Sequence, residues 1–286
     1  MIRLFWNQIK LILNFIFRHS KQFETINSTV EKRLIFNNLS SFLIGKFNED
    51  TADMSLDESL RRKLNFLVKV LKIQCHQRIL EIDAEWGFIS CSLASSIGIM
   101  PTCIFSDCIK FHFVCSLMDV FPTYCNMNVC STICMQKVMY DNYYDVVFIS
   151  NTFIESCSYL TLNLFLKDIC KATKLNGKVH LEFYSSCKYF NELDDFSSVI
   201  LQCNWQKAVS PFFSLKYIIH AISQSGFELM TMTNISSDAR KTLQCYVQNI
   251  EHCQEHKLDT NAVPIEEIDK LKLQFQQKFM LLSQDC

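Results

Sequence analysis

The residues best suited to chemistry lie together in the segment Arg78–Gly87, which reads RILEIDAEWG. Its apolar first half predicts a short buried strand, and a helix is predicted to follow over 88–97. A strand that passes through a glycine-containing loop into a helix is typical of nucleoside-type cofactor sites in α/β proteins, where bare main chain approaches the ligand. The candidate cofactor-binding residues are therefore Glu81, Asp83, Glu85, Trp86 and Gly87, with Ser106 at the end of the next predicted strand.

Strands and helices alternate along the rest of the chain. A capping box, Ser55 with Glu58, starts a helix that is predicted to run to about Lys72. Asn176-Gly177 predicts a turn, and Gly226 predicts a left-handed helix cap. The other elements are predicted strands at 78–82, 102–106, 127–135, 145–151, 178–184 and 227–235, and predicted helices at 109–120, 160–173, 215–225, 238–256 and 265–283. This alternation predicts an α/β fold, with a doubly wound, mostly parallel sheet and helices on both faces.

Two units of organisation are predicted. Residues 55–286 form one domain, in which 185–213 are a lid or insertion and 238–286 are the C-terminal helices. Residues 1–22 form a separate amphipathic helix, with apolar residues on one side and Arg, Lys and Asn on the other. Three interpretations of this helix stay open: a helix in a membrane interface, a mitochondrial presequence, or a helix that docks on the domain. The expected location is the cytoplasm, with membrane association or the mitochondrion as alternatives.

Composition excludes several classes of protein. Apolar residues make up 49% of the chain and charged residues 20%, which is typical of a globular protein and excludes global disorder. The formal net charge is −1, whereas nucleic-acid-binding domains normally carry a basic excess, so we predict no nucleic-acid partner. The 15 cysteines contain no CxxC pair. We therefore predict no metal site and interpret the cysteines as small buried hydrophobes.

Five motifs, in the right order, resemble S-adenosylmethionine-dependent methyltransferases of the cyclopropane-fatty-acid synthase and coclaurine N-methyltransferase kind. The most specific is Trp86-Gly87 after Glu81-Ile82, which is similar to the family's Asp-(Leu/Ile)-Gly-Cys-Gly-Trp-Gly loop. The others are YDVVFIS and FIE within 144–155, LNGK at 175–178, the helix and strand start at 218–227, and RKTL and NIE within 240–251. The resemblance runs from about residue 55 to about residue 282. It implies a Rossmann-like class I methyltransferase sheet with a helical cap.

The resemblance also implies a cofactor and a catalytic residue. The cofactor would be S-adenosylmethionine, and Glu155, which matches the Glu of the family's Phe-Glu-His motif, would be catalytic. The neighbouring family His is Ser156 in this chain, a later strand His aligns with Glu182, and a family Tyr aligns with Ala239. One surviving residue of such a set cannot do the acid–base work as the family does it.

The cofactor loop departs from the family in the same way. Asp83, Ala84 and Glu85 stand where the family has Gly, Cys and Gly, whose main chain faces the methionine end of the cofactor. A Glu85 carboxylate aimed there would repel the cofactor's own carboxylate by about 4 kcal/mol at ~4 Å. It would avoid this cost by turning to solvent or by pairing with the cofactor's ammonium group.

Three hypotheses about function follow. The first is a diverged methyltransferase-like pseudoenzyme that acts as an interaction or regulatory module with an unknown protein partner. The second is an active methyltransferase that uses Glu155 on a lipid acyl chain or a small amine. The third is a peripheral membrane adaptor that contacts a membrane surface through residues 1–22.

Overall fold

The computed structural model describes residues 43–47, 54–120, 127–131, 135, 137–150, 153–154, 157, 159–185 and 213–255. Three of the predicted segments therefore lie outside the described residues. They are the helix 1–22, the helix 265–283 and, apart from its two end residues, the lid or insertion 185–213.

Five parallel strands form one sheet with the order β3-β2-β1-β4-β5. They are β1 (Ile79–Ile82), β2 (Thr102–Phe105), β3 (Asn128–Ser131), β4 (Tyr144–Ile149) and β5 (Thr173–Leu181). The strand order reverses between β1 and β4, which pair in parallel with Glu81 opposite Phe148. Ligands of open α/β sheets bind at the carboxyl ends of the strands beside such a reversal. The loop that follows β1 lies at this point.

Helices cover both faces of the sheet. They are α1 (Leu56–Leu71), α2 (Phe88–Ile97), α3 (Cys108–Val120), α4 (Tyr159–Ala172), α5 (Leu215–Gln224) and α6 (Ser236–Glu255). Successive side chains of a strand point to opposite faces. Ile79 accordingly packs in the cluster with α1, α2 and α6, whereas Leu80 packs in the cluster with α4 and α5. The predicted doubly wound α/β fold is confirmed, and Glu81 lies on the α1 and α2 side.

The segment 43–47 is fixed against α6. The Gly45 N–H donates to Thr242 Oγ1 at 2.9 Å, and the Tyr246 hydroxyl donates to the Leu43 carbonyl at 2.6 Å. A Cβ atom added to Gly45 would lie 2.1 Å from Ser59 Oγ on α1. A glycine is therefore required where this segment passes between α1 and α6.

Two predictions about local structure are wrong. The predicted strand Phe227–Ile235 is an irregular segment, in which Leu229, Met230 and Met232 are exposed. Its apolar, β-favouring residues predicted a strand, but a strand forms only where a neighbouring strand offers hydrogen bonds. Among the described residues, the sheet ends at β5 without it.

The predicted turn at Asn176-Gly177 lies inside β5, which begins at Thr173 rather than at the predicted Lys178. Asn176 has a left-handed φ of 65°, and the pairing with β4 shifts between Tyr144 and Val146. The same two residues that favour a turn also suit a bulge, where an extra stretch of chain is accommodated within a strand.

The described residues also bear on the cysteines and on membrane crossing. Cys91, Cys103 and Cys157 are buried, whereas Cys75 and Cys108 are exposed, and all the cysteines described are free thiols. Over the same residues, no group of three or more potential metal ligands comes together. None of the described helices combines the length and apolar character needed to cross a membrane.

Candidate functional site

Glu81 lies in β1 with its carboxylate at the amino end of α2. Its Oε2 accepts hydrogen bonds from the Ser90 N–H, at 3.1 Å, and from the Ser90 hydroxyl. The residue before α2 is Gly87, which has no side chain to cap the helix, so the Glu81 carboxyl group accepts the hydrogen bond of an N–H in the first turn instead. Burial raises the pKa of Glu81 to about 7, although the Ser90 hydrogen bonds oppose that rise.

Asp83 connects the loop after β1 to the end of β2. It has a left-handed φ of 54°, a conformation that Asp adopts more readily than most residues other than Gly. Its Oδ1 accepts hydrogen bonds from the Ser106 hydroxyl and, at 3.4 Å, from the Ser106 N–H. Two candidate cofactor residues, Asp83 and Ser106, therefore bind each other.

Glu85 forms an ion pair within the protein. Its Oε2 lies 2.6 Å from Lys110 Nζ, and the two side chains are only 5% and 12% exposed, respectively. The ammonium group of Lys110 also lies 5.8 Å from the centre of the Trp86 ring. The Glu85 carboxylate is thus not turned to solvent, and a cation of the same chain neutralises it.

Trp86 and Gly87 complete the loop and belong to the core. Trp86 is buried and makes an edge-to-face contact with Phe113 of α3, with 5.2 Å between ring centres. Gly87 has a φ of 74°, and a Cβ atom added there would lie 2.9 Å from Val114 Cγ2. This glycine is therefore needed by the packing of α2 against α3, whether or not a ligand is bound.

A second buried ion pair lies beyond β5, on the same face of the sheet as Glu81. Lys63 Nζ, from α1, lies 2.6 Å from the Glu182 carboxylate, and His180 Nε2 lies 2.9 Å from Glu182 Oε1. Burial would raise the pKa of Glu182, but the Lys63 charge and the His180 hydrogen bond lower it to about 2. These three residues and Glu81 line a cavity of about 20 Å³, which is room for about one water molecule.

Solved structures with this architecture are numerous, and 292 chains match it. A cyclopropane synthase, MmaA2 from Mycobacterium tuberculosis, has a TM-score of 0.66 and 12% identity, over 83% of this chain and 84% of that one. Coclaurine N-methyltransferase, in a structure bound to N-methylheliamine and SAH, has a TM-score of 0.62 and 14% identity, over 97% and 89% of the two chains. The chain has the class I methyltransferase fold. The resemblance seen in the sequence is confirmed at this level.

Proteins that share this fold can catalyse different reactions, so the fold alone does not identify the reaction. The [4+2]-cyclase SpnF also matches, with a TM-score of 0.65 and 10% identity, over 93% of this chain and 88% of that one. No protein-family model and no curated protein matches the sequence. What this methyltransferase fold does must therefore be inferred from its own side chains.

The structure describes some, but not all, of the positions that the resemblance aligns with the family's catalytic residues. Glu155 and Ser156 lie outside the described residues, so the catalytic role of Glu155 stays a prediction. Glu182 is described, and it is bound to Lys63 and His180. Ala239, where the resemblance places a Tyr, is buried in α6.

Sequence reasoning missed both lysines that neutralise these acids. Lys110 lies in the first turn of α3, where the helix dipole disfavours a cation, and this mismatch signals a nearby carboxylate. Lys63 is one of the buried residues of α1, three positions after Leu60 and four before Leu67. A lysine on an apolar helix face is rarely buried without a partner, and this signal was available in the sequence.

We expect Glu81 to make stability fall as the pH rises through neutrality. Its pKa is about 7 in the folded protein against an ordinary value of 4.5, so the stability that it contributes is fully present below pH 4.5 and is lost as the pH approaches 7. From pH 5.5 upward, this loss is about 2 kcal/mol. Glu81→Gln should remove it, and the measurement is the free energy of unfolding in urea between pH 5.5 and 8.

The control for this prediction is Asp168→Asn, which removes an exposed carboxylate from α4. It should leave the pH dependence of the wild-type protein unchanged. If Glu81→Gln shows the same pH dependence as the wild type, the carboxyl group of Glu81 does not titrate near neutrality.

Proposed function

We propose that this chain is a diverged methyltransferase-like protein that neither binds S-adenosylmethionine tightly nor transfers its methyl group, and that it acts as an interaction or regulatory module. The class I methyltransferase fold is the starting point for this proposal. The observation that carries it is the ion pair between Glu85 and Lys110, at 2.6 Å, in the loop that would hold the cofactor.

The pair supports the proposal in two ways. The side chain of Glu85 lies where the resemblance expects bare main chain, so a ligand loses the close approach that glycine permits. The charge of Lys110, a cation beside this loop that could attract the cofactor's carboxylate, is already paired with Glu85. A ligand would have to displace a buried, charge-assisted hydrogen bond before it gained one of its own.

The rest of the loop supports the same conclusion. Glu81 caps α2 through Ser90, and Asp83 holds Ser106. Both are contacts within the chain, which stabilise the loop without a ligand. The Glu182 position, where the resemblance expects a His, carries a second pair with Lys63. Glu85 and Glu182, two of the acids that replace family residues in this chain, are thus each paired with a lysine. The third, Asp83, is bound to Ser106.

The variant Glu85→Gly separates this proposal from an active methyltransferase. If the site has been closed by the pair, the change opens the loop and frees the Lys110 ammonium, so the affinity for S-adenosylhomocysteine should rise at least about tenfold, or by ~1.4 kcal/mol. If the protein is an active methyltransferase whose loop depends on Glu85, the same change should weaken binding and reduce methyl transfer. Calorimetric titration of the folded variant makes the comparison.

The double variant Glu85→Gly with Lys110→Met is the matched control. It opens the loop equally but removes the ammonium, so most of the gain in affinity should disappear. A gain of equal size in both variants would mean that Lys110 plays no part in excluding the ligand.

A further inference from the structure

A cavity of the described residues lies at the amino-terminal edge of the sheet, opposite the cofactor loop. It has a volume of about 310 Å³, against about 20 Å³ for the cavity beside Glu81. Small-molecule sites typically start at about 300 Å³. The cavity is formed by the loops that lead into β1, β2, β3 and β4, and is lined by Cys75, His76, Gln77, Arg78, Ile79, Gly98, Met100, Thr102, Asn128, Tyr143 and Tyr144.

The lining of this cavity has a positive charge. Arg78 is the residue with a permanent charge among those that line it, and no Asp or Glu does so. The Arg78 guanidinium lies 4.1 Å from the centre of the Tyr143 ring, a stacking contact that holds the group in place. A guanidinium fixed in this way is suited to bind the two oxygens of a carboxylate or phosphate.

The Asp145 carboxylate lies close enough to Arg78 to interact with its charge, and it also has a cation of its own. The Asp145 carboxylate accepts hydrogen bonds from the backbone N–H of Arg78, at 2.9 Å, and from Lys174 Nζ, at 2.7 Å. At the end of α1, the Leu71 carbonyl accepts Lys178 Nζ at 2.7 Å. These contacts limit the competition that Asp145 and the helix end offer to an anionic ligand.

The same cavity has apolar and hydrogen-bonding walls. Met100, which is 58% exposed, lines the cavity together with Tyr143, Gln77 and Asn128. Methionine and tyrosine adapt to flat apolar groups, and the amides offer hydrogen bonds.

We propose that this cavity binds a small organic anion, in which a phosphate or carboxylate pairs with Arg78 and an apolar group packs against Tyr143 and Met100. The site is independent of the function proposed above, because it lies at the opposite edge of the sheet from the cofactor loop. Its test is therefore separate from the question of whether the carboxyl edge of the sheet binds S-adenosylmethionine.

The test is calorimetric titration of the full chain with phenyl phosphate, benzoate and inorganic phosphate. We expect phenyl phosphate or benzoate to bind with a Kd of about 1 mM or below, and inorganic phosphate to bind at least about tenfold more weakly because it lacks the apolar group. The tighter of the two aromatic probes distinguishes a phosphate site from a carboxylate site. Failure of both to bind below about 5 mM would overturn the proposal.

Two variants locate the binding. Arg78→Gln should lower the affinity for the tighter probe at least about tenfold. Lys69→Gln removes an exposed cation of α1 outside the cavity, and it should change that affinity less than about twofold. Met100→Trp, which keeps Arg78 but narrows the opening, should also weaken binding and covers the case in which Arg78→Gln does not fold. Equal binding by the wild type and by the folded Arg78→Gln and Met100→Trp variants would overturn the proposal.

Discussion

Replacement of Lys110 by methionine should lower the free energy of unfolding by about 3 kcal/mol or more, because it leaves the Glu85 carboxylate buried without its cation. The Glu85 side chain is only 5% exposed, and its Oε2 lies 2.6 Å from Lys110 Nζ. Breaking a buried pair by removing one partner costs far more than the pair contributes relative to an apolar replacement. The double variant Glu85→Leu with Lys110→Met should therefore recover most of the loss. Urea unfolding at neutral pH measures all three proteins.

The matched control is Lys171→Met on α4. Lys171 pairs with Asp168 at 3.4 Å, but these side chains are 68% and 64% exposed, and such surface pairs contribute about 1 kcal/mol or less. A loss for Lys110→Met no larger than that for Lys171→Met would mean that Glu85 reaches solvent, and the closed loop would have to be abandoned.

Replacement of Lys63 by methionine should lower the free energy of unfolding by a similar amount, about 3 kcal/mol, at neutral pH. The Lys63 charge and His180 hold the pKa of Glu182 at about 2, below its ordinary value of 4.5, although burial acts in the opposite direction. Glu182 therefore contributes stability above pH 4.5 that is lost as the pH falls through 2. The difference between the variant and the wild type should shrink over that range, which acid titration of the unfolding free energy measures.

His180→Gln is the comparison for the second pair. It removes the imidazole but keeps a hydrogen-bond donor beside Glu182, and it leaves Lys63 in place, so its loss should be smaller than that of Lys63→Met. A larger loss for His180→Gln would show that the imidazole, rather than the ammonium, stabilises the carboxylate.

Much of the fold could be predicted from the sequence because its signals are local. The helix start at Ser55 was predicted correctly, since the Ser55 hydroxyl accepts the Glu58 N–H at 3.3 Å. The apolar runs of β1 and β4 located two adjacent strands of the sheet, and the loop from Glu81 to Gly87 was placed at the carboxyl end of β1. Hydrophobic periodicity, helix caps and glycines are signals that lie within a few consecutive residues, so they can be recognised directly in a sequence.

The contents of the site could not be predicted, because they depend on residues far apart in the chain. Glu85 and Lys110 are separated by 25 positions, and Lys63 and Glu182 by 119. Their pairing follows from where helices and strands end in space. The strand prediction for Phe227–Ile235 was wrong for a related reason. Its residues favour a strand, but no described strand pairs with it.

Calorimetric titration of the full chain with S-adenosylmethionine and S-adenosylhomocysteine tests the central claim most directly. The closed loop predicts no saturable binding of either molecule with a Kd below about 10 µM. Saturable binding of either one below about 10 µM by the wild-type chain would contradict it, and would mean that the Glu85–Lys110 pair opens to admit the cofactor.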